Sequence, residues 1–273
     1  FTFRIIYFKN LLIFSNYFFA LNYKDIYQHN HSSIISNYFP DSDIGKKFME
    51  ENYPLFMLSN YEKFVLYPGD ILHIPKNYAH WCFSIGDPDN YNLNISINYW
   101  DEDKNNNFGD RTNLLRIEKN YLEVWNKIIV DNLINDNISN YPVILSKNKE
   151  ITPVDKGDNS QTLEYMSMPE IFNYRENSNY NIENENRKLK IALAQNQDII
   201  KKLNGFNPNI YPISHKEIFN NINFWMNFGD INTGLHFDEY VGFLVQMIGI
   251  KIVYLFEPKE KDKLYFNKNF KSL

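Results

Sequence analysis

Hydrophobic and polar positions alternate most cleanly in LNISINYW, residues 93–100. Leu93, Ile95, Ile97 and Tyr99 share one face, and Asn94, Ser96, Asn98 and Trp100 the other. That period of two predicts a strand between an apolar and a polar environment. EKFVLY, ILHIP and WCFSI upstream also read as strands, with Pro68-Gly69-Asp70 as a turn and Pro75 ending ILHIP. A second strand-rich block starts at 222 with INFWMNF, GLHFDEYVGFLVQMIG and, after a turn at Gly249, IKIVYLFEP. Helical periods lie between the blocks. Leu114, Ile117, Tyr121, Val124 and Ile128 recur at spacings of three and four, which predicts an amphipathic helix over 112–130. RKLKIALAQNQDIIKKLNG predicts a helix stopped by Gly205 with Pro208 beyond, and Ser214 with Glu217 forms a capping box for a short one. Residues 101–110 are a polar break, 131–187 are Asn-rich with scattered strand-like pieces, and 175–187 read as a linker. No internal repeat is visible.

Composition narrows the classes. The 273 residues are 44% hydrophobic and 17% aromatic, with 22 Phe and 20 Tyr, ample for a packed core. A net charge of −5 supplies no basic face for nucleic acid. A single cysteine excludes a disulfide framework or a cysteine-rich zinc module, so any metal must be held by histidines and carboxylates. In the apolar N-terminus, Arg4 and Lys9 interrupt the run and the uncharged stretch from Asn10 to Tyr23 is too short for a bilayer, so buried strands or a core helix are expected there. No targeting signal is evident, and an intracellular location, cytoplasmic or nuclear, is the resulting expectation.

His236-Phe237-Asp238 is an H-x-D pair. On a strand, residues two apart project to one face, so these two supply an imidazole and a carboxylate of a 2-His-1-carboxylate facial triad, the signature of non-haem Fe(II) oxygenases. Lys251 stands at the start of the next strand. His80 stands in PGDILHIPKNYAHW, and Asn98 lies near the end of the strand after it. GLHFDEYVGFLVQMIGIKIVYLFEP resembles the first metal-binding half of the JmjC (cupin-like) 2-oxoglutarate oxygenases, closest to the asparaginyl-hydroxylase branch typified by factor inhibiting HIF. PGDILHIPKNYAHWCFS…NISINYW resembles the second half. The resemblance implies a mainly β (α+β) fold, a double-stranded β-helix or jelly roll with accessory helices. It also implies that His236, Asp238 and His80 ligate Fe(II), and that Lys251 and Thr233 hold the distal carboxylate of 2-oxoglutarate. Asn98 would lie near the chelating end of that cosubstrate, and Trp100 would line the cavity wall. The implied activity is that of an O2-consuming, 2-oxoglutarate-dependent dioxygenase, a hydroxylase with a protein substrate.

The halves stand in reversed order, because the family's distal histidine follows its H-x-D. Residues 1–130 read as a C-terminal-type half plus a helix, 131–187 as a connecting region and 188–273 as an N-terminal-type half. Either the chain is a fragment spanning parts of two tandem domains, as a first residue other than Met suggests, or its ends assemble one permuted jelly roll. In the second case KDKLYFNKNFKSL leads in space to HSSIISNYFPDSD and His80 meets His236 and Asp238. Exchange between two chains would also serve. If no triad assembles, the expectation is a non-catalytic cupin-like binding protein. The helix over 112–130 is either core-packed or, as C-terminal helices of the resembling family often are, part of a homodimer. His73 reads as strand packing or cavity wall, His29 and His31 as a solvated loop, His215 as exposed, and Cys82 as a small buried side chain.

Overall fold

A computed structural model of the chain describes residues 30–34, 36, 38–90, 92–101, 111–117, 119–135, 141–146, 150–151, 161–166, 169, 190–193, 221–228 and 231–266. In chain order the elements are β1 (Asn30–His31), helix α1 (Asp43–Asn52), a 3-10 turn (Pro54–Leu58), β2 (Glu62–Leu66), β3 (Asp70–Ile74), β4 (Ala79–Ile85), β5 (Leu93–Asp101), β6 (Asn113–Arg116) and helix α2 (Lys119–Asn135). Then come β7 (Tyr141–Ser146), β8 (Glu150–Ile151), β9 (Gln161–Met166), β10 (Lys190–Leu193), β11 (Asn221–Phe228), β12 (Ile231–Phe237), β13 (Val241–Ile248), β14 (Ile250–Phe256) and a 3-10 turn (Pro258–Lys263).

The strands form two sheets that draw on both ends of the chain. The first runs β1-β12-β4-β14-β2, with β8 also beside β12; the second runs β6-β3-β13-β5-β11-β10-β7-β9. All pairings are antiparallel except β8 with β12. Thus β4 lies between β12 and β14, and β13 between β3 and β5. The segment after β14 returns to the start of the described chain. Ser32 bridges Phe266, Ser33 N donates to Tyr265 O at 3.0 Å, and Ser32 Oγ donates to Leu264 O at 2.6 Å. Two facing antiparallel sheets with few helices make the jelly-roll architecture. Among the described residues, no helix is long and apolar enough to cross a membrane.

Burial explains which face looks inward. Leu93, Ile95, Ile97 and Tyr99 pack outward with Phe224, Met226, Phe243 and Val245 against Trp125, Ile129 and Leu133 of α2. On the other sheet, Trp81, Phe83, Leu235, Tyr254 and Phe256 pack outward against Ile34, Met49 and Phe56. Each apolar stripe is therefore spent on an outer layer, and the polar alternates of the same strands line the space between the sheets. Leu66, Leu72, Ile74, Cys82, Leu244, Val253 and Leu255 join the sheets through a third, smaller apolar cluster.

Three expectations are corrected. Residues 113–116 are strand β6, not helix: they pair with the edge of β3, Asp70↔Arg116 to His73↔Asn113. The helix consequently begins at Lys119 and buries Trp125, Ile129 and Leu133, leaving Tyr121 and Val124 exposed. Lys190–Leu193, expected to be helical, is strand β10, because the open edges of β11 and β7 give its backbone partners that outweigh the helix propensity of Lys, Ala and Leu. His31, expected in a loop, lies in β1 in register with His236. The linker 175–187, the N-terminal run 1–23, His29, the capping box at Ser214 and Glu217, His215, and the rest of the helix ending at Gly205 lie outside the described residues.

Gly249 makes the β13–β14 connection possible. Its φ of +77° suits glycine, and a Cβ there would meet Ile85 O at 2.6 Å and Leu93 O at 2.9 Å, both backbone. Gly249→Ala is expected to cost about 1–3 kcal/mol, read as a lowered urea midpoint at unchanged slope.

Candidate metal centre

His80 is the second residue of β4, His236 lies near the end of β12 and Asp238 just beyond it. A β-bulge brings them together. Thr233 pairs with Cys82, and in a regular ladder Leu235 would then face His80. The register shifts between Thr233 and His236, so that His236 pairs with His80. One extra residue reverses the side-chain parity. Leu235 thereby joins the outer apolar cluster, while Thr233 and His236, three residues apart, both face inward. Asp238 lies just past the strand end, where its carbonyl accepts from Asn77 N at 2.9 Å.

The three ligand atoms of His80, His236 and Asp238 lie within 4.8 Å of one another. The rings of His80 and His236 are 4.2 Å apart between centroids, and His80 Nε2 is 3.7 Å from Asp238 Oδ2. Ligands bound to one ion at right angles, with bonds of 2.0–2.2 Å, would be about 3 Å apart, so a small contraction closes this cluster on a metal. Each histidine also faces a backbone carbonyl through Nδ1: His80 meets Tyr78 O at 3.2 Å and His236 meets Gly234 O at 2.6 Å. That contact holds the proton on Nδ1 and leaves the Nε2 lone pair for a metal, the usual support of a ligating histidine. Two imidazoles and a carboxylate in a largely buried setting fit a divalent ion such as Fe(II).

The other expected residues lie around this cluster. Lys251 is on the inner face of β14, and its Nζ donates to Ser96 Oγ of the opposite sheet at 2.5 Å. Thr233 Oγ1 lies 3.5 Å from Cys82 O. Asn98 is on the inner face of β5, in register with Asn223 and Leu244, and its Oδ1 is buried without a partner among the described residues. Trp100 is buried and stacks on Tyr240 at 6.4 Å and 14°. It borders Gly242, where a Cβ would sit 3.4 Å from its ring. Cys82 is buried, and burial pushes its thiol up to about 11. His73 is a packing residue, stacked on Phe243 at 4.9 Å.

Sequence reasoning passed over Ser84, Ser96, Asn223 and Asn227, all buried. The available signal was alternation in INFWMNF, where Asn223, Trp225 and Asn227 interleave with Phe224, Met226 and Phe228.

These features define a cupin-type jelly roll carrying two histidines and one carboxylate at a shared inner position. Comparison with known proteins agrees. The cupin-like domain family matches residues 118–272, more than half of the chain, and the chain belongs to that family. The match includes His236, Asp238 and Lys251 and leaves His80 outside. A JmjC domain-containing protein of Acanthamoeba polyphaga mimivirus is similar, with 28% identity over 232 residues. The alignment covers 78% of this chain and 36% of the viral protein, so the chain spans little more than a third of that relative's length. No solved structure matches.

Lys251 carries the clearest electrostatic signature. It has no salt-bridge partner among the described residues, and burial pulls its ammonium down to about 8 from 10.5. Between these values the unfolded chain holds a proton that the folded chain has lost, so stability should rise from pH 8 to 10.5, by about 3 kcal/mol at most. Lys251→Met is expected to lack that rise and to be more stable than the wild type at pH 7 by about 1–3 kcal/mol. Urea titrations of both proteins across this range provide the measurement.

Proposed function

We propose that the chain is an Fe(II)- and 2-oxoglutarate-dependent oxygenase of the JmjC type. It would hydroxylate a protein substrate, as in the asparaginyl-hydroxylase branch that its motifs resemble, and serve one site with its two motif blocks. The observation that carries this reading is the convergence of His80, from the first third of the chain, with His236 and Asp238, from the last. Membership of the cupin-like family and the similarity to a JmjC domain-containing protein support it.

In this reading His80, His236 and Asp238 hold the metal through Nε2, Nε2 and a carboxylate oxygen, leaving open positions for cosubstrate and O2. Fe(II) held there with 2-oxoglutarate supplies the oxygen activation that ends in C–H hydroxylation. The chain's own residues provide place and polarity. Lys251 pairs with Ser84 across β4, four residues from His80, or about 13 Å along the strand. A five-carbon dicarboxylate and an extended lysine side chain together cover that span. The desolvated ammonium is then matched by the distal carboxylate, a charge-assisted contact, and the pairing draws its proton affinity back up. Thr233, one residue pair nearer the metal, offers a hydroxyl to the same carboxylate. Asn98 holds the chelating end of the cosubstrate, and Trp100 with Tyr240 walls the cavity beside Asp238.

Two measurements test the reading. Anaerobic addition of 2-oxoglutarate to the Fe(II)-loaded protein should produce a weak visible charge-transfer band, absent in His236→Ala and His80→Ala. With O2, the wild type should form succinate. His236→Ala should abolish this, while Lys251→Ala should chiefly raise the 2-oxoglutarate concentration required, by about tenfold or more. Metal-loaded, folded protein without the band, or variants that form succinate like the wild type, would favour a non-catalytic cupin-like binding protein.

A further inference from the structure

Beyond Lys251 and Asn94, whose Nδ2 donates to Ile85 O and Ile250 O, the two sheets are joined across the interior by a further polar contact. Asn227 Nδ2, on β11 of one sheet, donates to Ser84 Oγ, on β4 of the other, at 3.3 Å. Both side chains are more than nine-tenths buried, as are Lys251 and its partner Ser96. Ser84 is the register partner of Lys251, and directly opposed residues of an antiparallel pair share a face with Cβ atoms about 5 Å apart. Hydroxyl, ammonium and carboxamide therefore sit together in a desolvated part of the jelly-roll interior.

The direction of the Asn227–Ser84 bond decides what Ser84 can do. A hydroxyl has one proton and two lone pairs. Because Ser84 Oγ accepts from Asn227, its own proton points away from the carboxamide, which leaves it able to turn into the space it shares with Lys251. Trp225 adds a buried Nε1 donor without a partner among the described residues, and it is in register with Ser96. A cation and oriented neutral donors form a surface for an anion's oxygens, whereas Lys251 alone contributes charge with little geometry.

On the oxygenase reading above, we propose that Ser84 donates a hydrogen bond to the distal carboxylate of 2-oxoglutarate, that Asn227 is the positioning residue that orients the Ser84 hydroxyl, and that the pair makes the site selective for 2-oxo dicarboxylates. Asn227 touches Ser84 and not the ligand, so its contribution exists only while Ser84 is present.

The test is calorimetric titration of the anaerobic Fe(II)-loaded protein with 2-oxoglutarate and, separately, with 2-oxobutyrate, which keeps the chelating end and lacks the distal carboxylate. Ser84→Ala should weaken 2-oxoglutarate about tenfold and leave 2-oxobutyrate within about twofold, the latter also reporting an intact fold and metal site. Asn227→Leu should weaken 2-oxoglutarate by about three- to tenfold, and the double variant should bind no more weakly than Ser84→Ala alone. Asn227→Ala serves in the same cycle if the leucine variant does not fold. Unchanged 2-oxoglutarate affinity in Ser84→Ala, equal losses for both keto acids, or additive effects in the double variant would overturn the inference while leaving the oxygenase reading intact. A wild type that takes up neither keto acid would overturn both.

Discussion

The pairing of β12 with β4 is the constraint on which the structure depends. It joins residues 231–237 to residues 79–85, seats the H-x-D strand beside the strand that carries His80, and leaves β14 to close the other side of β4. Each half alone would present open strand edges and an uncovered apolar face. Joining segments so far apart costs little more entropy than joining near ones, since loop closure grows only logarithmically with length. What the pairing gains is large by comparison: Trp81 and Phe83 from β4 pack with Leu235 and Phe237 from β12 and Tyr254 and Phe256 from β14 in one outer cluster.

Beside the small apolar cluster that joins the sheets, the rest of the interior is polar. Because α2 covers one sheet and the α1 region covers the other, the strands bury apolar side chains outward. Asn98, Asn223, Asn227, Ser84, Ser96 and Lys251 are left facing each other. Buried polar atoms without partners cost on the order of 1–3 kcal/mol each, and a buried ammonium costs more. Such a lining is unfavourable as plain structure; in the proposed function a dicarboxylate and a metal ion would supply the missing partners. The single bulge in β12 belongs to the same design, since it turns His236 inward without displacing Leu235 from the core.

Much of this was legible in the residues. Period-two alternation placed both faces of β5 correctly, and the Pro68-Gly69 turn and the Gly249 turn lie where expected, with φ of +95° and +77° at the two glycines. The H-x-D pair and His80 were identifiable as chemistry, and the structure brings them together. The bulge was not legible, because no local residue announces it: it is imposed by the simultaneous need to bury Leu235 and to pair with β4. Strands β6 and β10 were missed for a related reason. Their sequences tolerate a helix, and only the edges of β3, β11 and β7 make a strand the better choice. Ser84 and Asn227 were hidden by composition, since one more asparagine in an asparagine-rich chain carries no signal until its partner across the interior is known.

In the proposed site, one chain places ligands from both of its strand-rich blocks on one metal. Extended X-ray absorption fine structure of the Co(II)-loaded monomer tests it most directly. Two imidazoles and carboxylate oxygen are expected in a single shell at about 2.0–2.2 Å, falling to one imidazole in His80→Ala. A wild-type spectrum with a single imidazole, unchanged by that substitution, would contradict it.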